Sequence, residues 1–321
     1  MNPVRNSPPQ GPSGAPSAGA ISNGVKHFLH IADHSAEELS ELLTSAVALK
    51  KEWKKGGNKP ILEGKVLGML FEKPSLRTRV SFDMAMRHLG GDALYLSPAE
   101  VGLGKREATS DVARVLSRYV QGIMLRTFAH QNVLDIAKYA SIPVINGLSD
   151  YNHPCQALAD ALTILEHKGT LKGLKLAFIG DGNNVTTSLA HLSAKLGMDF
   201  AVASPKGYEL PADVVKGSGV ALAGNPAEAV KNADVVYTDT WTSMGDEAEA
   251  DRRKKEFGAY QVNSELLKKA QKDAIVMHCL PAHRGEEITD AVMDGPQSVV
   301  FDQAENRMHA QKAILAKLLA Q

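Results

Sequence analysis

Residues 66–91 read VLGMLFEKPSLRTRVSFDMAMRHLGG and contain one complete strand–helix unit. The apolar run Val66–Phe71 is typical of a buried strand. Further apolar residues follow at i, i+3, i+4 and i+7 from Phe82, which is the spacing of a helix with one buried face. The pair Gly90-Gly91 then ends that helix. This stretch therefore predicts a strand that is followed directly by a helix packed against it.

The same alternation recurs along the chain, which predicts a mostly parallel sheet covered by helices. Nine strands are many for one such sheet, and they divide near Glu166–Gly173. We therefore expect an α/β protein with two doubly wound parallel-sheet domains and an active site in the cleft between them. The predicted strands are Val66–Phe71, Ala93–Leu96, Gly122–Leu125, Pro143–Ile145, Leu174–Ile179, Phe200–Ala203, Asp234–Tyr237, Ala274–Met277 and Ser298–Phe301.

Composition shifts set the expected domain limits. Thirteen of residues 1–24 are Pro, Gly or Ser, so we expect a disordered tail there. The first domain is expected to span 25–167 and the second 168–302. The segment 303–321 contains an expected helix, Gln303–Leu319, that either packs on its own domain or crosses back to the first.

Composition also excludes several classes of function. Among the 321 residues, 36 are Lys or Arg and 36 are Asp or Glu, so the formal net charge is zero. Nucleic-acid domains are usually basic, and we therefore expect no nucleic-acid partner. No apolar run approaches the roughly 18–20 residues of a membrane span, so no membrane partner is expected. Two cysteines, Cys155 and Cys279, are too few for a disulfide framework and indicate a reduced, cytoplasmic protein.

The first candidate site lies between the strand and the helix of the opening stretch. Free N–H groups and the positive end of the helix dipole favour a bound anion at such a junction. Ser75 and Thr78 add hydroxyl groups, and Arg77 adds a planar fork that matches phosphate oxygens. The pattern alone is equally compatible with a helix cap at Ser75 followed by solvated arginines.

The second candidate is His153-Pro154-Cys155-Gln156, which follows the strand Pro143–Ile145. Pro154 suits the first position of a helix, so His153 is expected to cap it at the carboxyl end of the strand. A neutral imidazole there can donate a hydrogen bond that polarises a carbonyl group. A purely structural cap remains the alternative from the pattern alone.

Two further candidates follow strands in the second half of the chain. Gly180–Asn184 begins like a dinucleotide loop, but Val185 stands where a third glycine is needed and Ser204 replaces the acidic residue that binds ribose. Asp239 directly follows a strand, where its carboxylate faces the cleft and can hold an ammonium group. The charged residues 246–258 beyond it are expected to be a solvated, mobile loop.

The fifth candidate is His278-Cys279-Leu280-Pro281, after the strand Ala274–Met277. Its histidine and cysteine do not have the spacing of a zinc site, and no metal or other cofactor is expected. Cys279 is either a buried inert thiol or a thiol that faces a ligand. All five candidates follow strands, at the edge where open α/β sheets bind ligands.

Together these residues resemble the aspartate/ornithine carbamoyltransferase family, from about Lys26 to the C-terminus. Residues 75–78 are similar to its Ser-x-Arg-Thr carbamoyl-phosphate motif and residues 153–156 to its His-Pro-x-Gln motif. Arg126 occupies the place of a second phosphate-site arginine. Residues 239–245 and 278–281 resemble the set that is specific for ornithine.

The resemblance implies transfer of the carbamoyl group of carbamoyl phosphate to the side-chain amine of L-ornithine, giving citrulline and phosphate. It implies catalytic roles for Arg126, His153, Asp239 and Cys279. Ornithine would be held by Asn184, Asp239, Ser243 and Met244, under a loop at 243–245 that closes over the site. Carbamoyl phosphate would be bound by Ser75, Leu76, Arg77, Thr78, Arg126, His153, Gln156, Cys279, Leu280 (through its backbone) and Arg307.

One position departs from the family pattern. Gly102 replaces a glutamine that usually touches carbamoyl phosphate, and the substitute contact is left open between Lys105 and Arg106. The family also suggests a homotrimer, and the resemblance leaves open whether the protein works in arginine synthesis or breakdown.

Three other functions stay open at this stage. The first is a carbamoyl transferase for another amine acceptor, such as putrescine, acetylornithine or aspartate. The others are a dinucleotide-dependent oxidoreductase built on Gly180–Asn184 and a non-catalytic ornithine- or phosphate-binding module.

Overall fold

The computed structural model describes residues 24–103, 106–243, 245 and 247–320. Residues 1–23 of the expected tail therefore lie outside the described residues. Within them the strands are β1 Val66–Phe71, β2 Asp92–Leu96, β3 Gly122–Arg126, β4 Val144–Leu148, β5 Lys175–Ile179, β6 Asp199–Ala203, β7 Ala221–Leu222, β8 Val235–Thr238 and β9 Ile275–His278. The helices are α1 Ala36–Lys54, α2 Leu76–His88, α3 Pro98–Val101, α4 Thr109–Leu116, α5 His130–Tyr139, α6 Pro154–Lys168, α7 Asn184–Leu196, α8 Ala212–Ser218, α9 Pro226–Val230, α10 Ala250–Phe257, α11 Ser264–Leu267, α12 Asp290–Met293 and α13 Val300–Leu319.

The strands form two parallel sheets, which confirms the predicted fold class. The first sheet has the order β2-β1-β3-β4 and the second β7-β6-β5-β8-β9. In each sheet the strand order reverses between two adjacent central strands, β1 and β3 in the first and β5 and β8 in the second. Ligands bind at such switch points in open α/β sheets. At the first of them Phe71 is paired with Arg126, and at the second Ile179 is paired with Thr238.

Helix α13 joins the two halves of the molecule. It packs against α6, α1 and α2 and also reaches β9. The Lys50 ammonium group of α1 donates to Asn306 on α13 at 2.7 Å and to Glu166 on α6 at 2.8 Å. The C-terminal helix therefore crosses back to the helices of the first sheet.

One predicted strand is wrong. The apolar run Ser298–Phe301 forms only an isolated bridge between Ser298 and Val276, and α13 begins at Val300. The run belongs to the first turn of an amphipathic helix, in which Val300 is buried and Phe301 is exposed. The second sheet instead contains a short strand that the sequence did not predict, β7. Both of its residues are exposed, so it carries no buried apolar pattern.

No helix in the described ranges combines the length and the apolar character that crossing a membrane requires.

Candidate active site

The carboxyl ends of both sheets face one cavity of about 1860 Å³. Its walls come from the segments that follow β1, β3 and β4 on one side and β5, β8 and β9 on the other. Ser75, Arg77, His153, Asp239 and Cys279 all line it. The predicted sites therefore meet in one cleft, as the fold class requires.

Two of the phosphate-binding candidates, Arg126 and Arg307, converge on the hydroxyl group of Thr78, which is fully buried. Ser75 caps α2, and its hydroxyl accepts a hydrogen bond from the Thr78 N–H at 3.2 Å. The Arg307 guanidinium donates to Thr78 Oγ1 at 2.8 Å and that of Arg126 at 3.3 Å. Arg77 lines the same cavity. Two arginines distant in sequence are thus brought to the helix start that the motif predicts.

This corner of the cavity is strongly electropositive. Burial, and then the neighbouring Arg307 and Arg77 charges, together lower the pKa of Arg126 to about 10. Burial also lowers the pKa of Arg307. The buried Nε atoms of both Arg126 and Arg307 have no hydrogen-bond partner among the described residues. A buried unpaired donor is costly, so both Nε atoms are available to an acceptor on a bound ligand.

His153 and Gln156 form the wall beside this corner. His153 is the N-cap of α6, and its backbone N–H donates to Ser188 Oγ at 2.8 Å. Burial, together with the Arg307 and Arg126 charges, holds the pKa of His153 well below its usual range, so the ring is neutral. Its Nδ1 atom is buried without a partner in the described part of the chain. Gln156 accepts from Arg307 Nη1 at 2.9 Å.

The opposite end of the cleft carries a carboxylate and a thiol. The Cys279 thiol donates to Asp239 Oδ1 at 3.0 Å. Burial, and then the Asp239 charge, raises the pKa of the Cys279 thiol well above its usual range. The thiol is therefore protonated and is not a nucleophile, because the thiolate is the reactive form.

Asn183 completes this group, and sequence reasoning missed it. It caps α7 through its side-chain oxygen, and its amide Nδ2 donates to Asp239 Oδ2 at 2.8 Å. The sequence signal for Asn183 was its position directly before a helix that follows β5, a strand at the switch point of the second sheet. Its neighbour Asn184 lines the cavity, and its amide donates to the backbone oxygen of Ser149 at 2.7 Å.

The remaining predicted residues occupy the edges of the cavity. Ser243 lines it, and Met244 lies outside the described residues. Leu76 lines the cavity next to Ser75, and the residue is 74% exposed. Leu280 adopts a left-handed conformation with φ +57°, and its N–H donates to the ring of His278 at 2.9 Å. The Cys279–Leu280 peptide is thus held by the preceding side chain.

The position that departs from the family lies elsewhere. Gly102 is the left-handed C-cap of α3, and Arg106 donates to the backbone oxygen of Glu100 at 3.4 Å. Neither belongs to the described cavity lining. Lys105 lies outside the described residues.

The dinucleotide alternative does not fit the packing of its loop. A Cβ atom on Gly182 would come within 2.5 Å of the backbone between Glu209 and Leu210. This glycine is therefore required by a neighbouring loop, rather than by a pyrophosphate group. Asp181 is engaged as well, since it accepts from Arg253 Nη1 at 2.6 Å.

That ion pair corrects the expectation of a solvated loop at 246–258. Residues Ala250–Phe257 form α10, and Arg253 is buried there. Its guanidinium donates to Asp181 and to the backbone oxygen of Trp241 at 2.8 Å. The ring of Tyr208 lies 4.7 Å from the same group. These contacts bury Arg253 and hold the charged segment against the second sheet.

One group of candidate metal ligands already has hydrogen-bond partners within the protein. Asp239, His278 and Cys279 have ligand atoms within 4.8 Å of one another. His278 Nδ1 accepts from the backbone of Leu280, so Nε2 carries the proton and donates to Glu287 at 3.0 Å. The Cys279 thiol is bonded to Asp239. This donor set is satisfied within the protein.

Cys155 does not take part in the cleft, although it lies within the His153 motif. It is buried in the core, and its thiol donates to the backbone oxygen of Asn146 at 3.3 Å. Burial raises its pKa to about 12.

Comparisons with known proteins agree with this arrangement. The carbamoyl-P binding domain of aspartate/ornithine carbamoyltransferase matches residues 26–166, and the Asp/Orn binding domain of that family matches 172–318. The chain is 55% identical to an ornithine carbamoyltransferase of Pyrococcus horikoshii over 303 residues, which cover 92% of this chain and 96% of that one. An anabolic ornithine carbamoyltransferase of Pyrococcus furiosus is 54% identical over 93% of this chain and 98% of its own.

Solved structures give the same result. The ornithine carbamoyltransferase from Pyrococcus furiosus superposes with a TM-score of 0.89 at 54% identity, covering 92% of this chain and 97% of that one. The enzyme from Thermus thermophilus gives 0.86 at 46% identity, over 91% and 98%. Two family domains thus account for almost the whole described chain, and the protein belongs to the aspartate/ornithine carbamoyltransferase family.

Proposed function

We propose that this protein transfers the carbamoyl group of carbamoyl phosphate to the side-chain amine of L-ornithine, forming L-citrulline and phosphate. The observation that carries the proposal is the polarity of the single cleft. The buried Arg307 and the partly buried Arg126 lie at one end, and the Asp239–Cys279 pair lies at the other. An anionic donor and an amine acceptor can therefore bind side by side.

Carbamoyl phosphate binds at the arginine end. Its phosphate oxygens accept from Arg77, Arg126, Arg307 and the N-terminal N–H groups of α2, between Ser75 and Thr78. Leu76 contributes its backbone to that helix start. The carbamoyl group lies against His153, Gln156 and the Cys279–Leu280 backbone. The buried, unpartnered Nε atoms of Arg126 and Arg307 and Nδ1 of His153 support this placement.

Ornithine binds at the opposite end, where Asp239 faces the cavity. Asn184, Ser243 and Met244 complete the proposed acceptor site, and the 243–245 segment closes it. Gly245 already lies against the first half of the molecule, because a Cβ atom there would be 3.7 Å from the Phe128 ring. The loop is therefore placed to span both halves.

Catalysis follows from orientation and electrostatics. The attacking amine must be neutral, and we assign Asp239 and the protonated Cys279 thiol to position it and to assist loss of its proton. Negative charge then develops on the carbonyl oxygen, where Arg126, Thr78 and neutral His153 stabilise it. Removing one such donor typically raises the barrier by about 2.7–4 kcal/mol. This mechanism requires neither a covalent intermediate nor a metal.

The decisive experiment is a citrulline assay with carbamoyl phosphate and an acceptor panel. L-Ornithine, putrescine, acetylornithine and aspartate are compared at equal concentrations. Citrulline from ornithine, with little product from the others, supports the proposal. A preference for another acceptor replaces it with a different carbamoyl transferase, and binding of both substrates without turnover replaces it with a binding module.

We further propose a homotrimer, as the family suggests. Leu76, Val80 and Met84 recur every four residues on α2 and are 74%, 49% and 37% exposed. An exposed apolar stripe of this kind marks an interaction surface, and a second copy of the chain would cover it. Val80→Glu should give monomers in light scattering, whereas an unchanged mass would place the contact elsewhere.

The organisation of the chain is proposed accordingly. The carbamoyl-phosphate unit spans 25–167 and includes α13 as its covering helix, while the ornithine unit spans 168–302. Both cysteines are free thiols, which suits a reducing cytoplasm. Similarity to the anabolic enzyme of Pyrococcus furiosus favours a role in arginine synthesis.

A further inference from the structure

A fully buried carboxylate lies behind the cleft and has no role in the mechanism above. Asp160 belongs to α6 and does not line the cavity. Its Oδ1 accepts from the side-chain amides of Gln156 at 2.9 Å and Gln303 at 2.8 Å. Its Oδ2 accepts from the hydroxyl of Tyr237 at 3.1 Å. Three elements, α6, α13 and β8, thus direct donors to one side chain.

These bonds determine which way both glutamine amides face. A carboxylate can only accept and a guanidinium can only donate. The Nε2 of Gln156 must therefore point to Asp160, which leaves its Oε1 for Arg307 Nη1 at 2.9 Å. In the same way Gln303 turns its Oε1 to the backbone N–H of His278 at 2.9 Å.

The resulting chain of hydrogen bonds connects the two ends of the cleft. At one end Arg307 continues to Thr78 in the phosphate corner. At the other end the His278 backbone directly precedes Cys279. We propose that Asp160 is a positioning residue that orients the Gln156 and Gln303 amides and thereby joins the phosphate end of the cleft to its acceptor end. This role rests on the proposed carbamoyl transfer.

The role requires the ionised form of Asp160. A proton on this carboxyl group would place a fourth donor among the three that face it, and at least one hydrogen bond would be lost. Burial raises the pKa of Asp160 to about 7, against the opposing effect of its donors and of the Arg307 charge. Affinity for carbamoyl phosphate should therefore fall as the pH drops below 7.

The other titratable groups around Asp160 do not produce this pH dependence. Tyr237 on β8 and Cys279 after β9 both have pKa values raised well above their usual range by burial. His153 at the start of α6 is neutral because its pKa is far below 6.5. Arg307 on α13 keeps its proton across this range.

The test measures KM for carbamoyl phosphate between pH 5.5 and 9, with ornithine saturating, in four proteins. Wild type should show an acidic limb with an apparent pKa near 7. Asp160→Asn should raise KM about tenfold at pH 8 and remove the limb near pH 7, leaving only the rise in KM below about pH 6 at which the substrate phosphate itself takes up a proton. Tyr237→Phe should move the limb to higher pH, because the carboxylate loses a donor that favours its charged form. Asp234→Asn, at the far end of the β8 segment, should behave as wild type.

The outcomes separate this inference from the proposed function. If wild type forms citrulline but Asp160→Asn and Tyr237→Phe both keep the acidic limb of wild type, the positioning role is overturned and the proposed function stands. Absence of citrulline from wild type overturns the proposed function. If Asp160→Asn does not fold, Tyr237→Phe decides by itself. A variant that only lowers the unfolding temperature, with KM and its pH profile unchanged, shows that the network is merely structural.

Discussion

At the scale of single residues, the hydroxyl group of Thr78 explains why the cleft is suited to a doubly charged ligand. It accepts from both Arg126 and Arg307, so one partly buried and one buried cation meet at one neutral oxygen. Desolvation favours the neutral form of both groups, and the Arg77 charge adds to this effect, so both pKa values are lowered. A phosphate dianion relieves both effects, and its binding energy should depend strongly on these cations.

Arg77→Ala should therefore weaken carbamoyl-phosphate binding by about ten- to a hundredfold, the loss expected for a charge-assisted hydrogen bond. Calorimetric titration measures the dissociation constant directly. Arg79→Ala is the matched control, because the Arg79 guanidinium lies 4.0 Å from the Tyr95 ring centre and outside the described cavity lining. Equal losses in the two variants would contradict the phosphate assignment of Arg77.

Asp239→Asn should raise KM for ornithine and lower kcat by at least tenfold, while carbamoyl-phosphate affinity stays within about twofold. The amide keeps the shape of the side chain but removes the negative charge that holds the amine. It also places a donor where Asn183 and the Cys279 thiol now donate. Steady-state kinetics with each substrate varied in turn gives both values, and equal loss for the two substrates would refute the assignment.

The residues that sequence reasoning found and those that it missed differ in a physical way. Asp239 and Cys279 follow strands directly, so the apolar runs of those strands were enough to place them at the sheet edge. Asn183, Asp160 and Gln303 are ordinary helix or cap residues when read in sequence. Their partners are 56, 77 and 143 residues away, and only the packing of α6, α7 and α13 brings them together.

At the scale of secondary-structure elements, the turn between β5 and α7 is fitted against a neighbouring loop. Gly182→Ala should lower the unfolding temperature and raise KM for ornithine, because its Cβ would meet the backbone at Glu209 and Leu210 at 2.5 Å. Overpacking of this kind costs about 1–3 kcal/mol. Displacement of the turn would also move the adjacent Asn183 away from Asp239.

The matched control is Gly217→Ala in α8, where a Cβ would contact only His191 at 3.8 Å. Alanine favours a helix by about 0.5–1 kcal/mol over glycine, so this variant should be as stable as wild type or more stable. Thermal unfolding followed by circular dichroism compares the two. A Gly182→Ala protein with unchanged stability and KM would show that the turn tolerates a side chain.

Eight of the nine strands could be predicted because buried parallel strands are continuous apolar runs. The error at Ser298–Phe301 arose because three consecutive apolar residues at a helix start resemble such a run. Strand β7 was missed because both of its residues are exposed. The helix α10 was read as a loop since its charges conceal one buried arginine, Arg253, whose partner Asp181 lies in another segment.

At the scale of the whole molecule, a net charge of zero conceals a separation of charge along the cleft. The cations gather where α2, β3 and α13 meet, and Asp239 lies at the end formed by β8 and β9. Helix α13 supplies Arg307 to the first end and Gln303 to the second. The same helix therefore sets the separation of the two substrate sites.

Stability should decrease steeply as the pH falls from 6.5 to 4, because several histidines are buried in neutral form. Burial lowers the pKa of His130 to about 4 and that of His30 and His309 to about 3. Above pH 6.5 both folded and unfolded chains carry these rings neutral. Below it the unfolded chain takes up protons that the native protein does not, so the free energy of unfolding falls.

Two carboxyl groups act in the opposite direction. The pKa values of Asp33 and Asp160 are raised to about 6 and about 7, but these groups are fewer than the buried histidines. Urea unfolding at pH 7.5, 6.5, 5.5 and 4.5 measures the slope, and His309→Gln should make it shallower by about one proton. A free energy of unfolding that rises towards pH 4.5 would contradict this account.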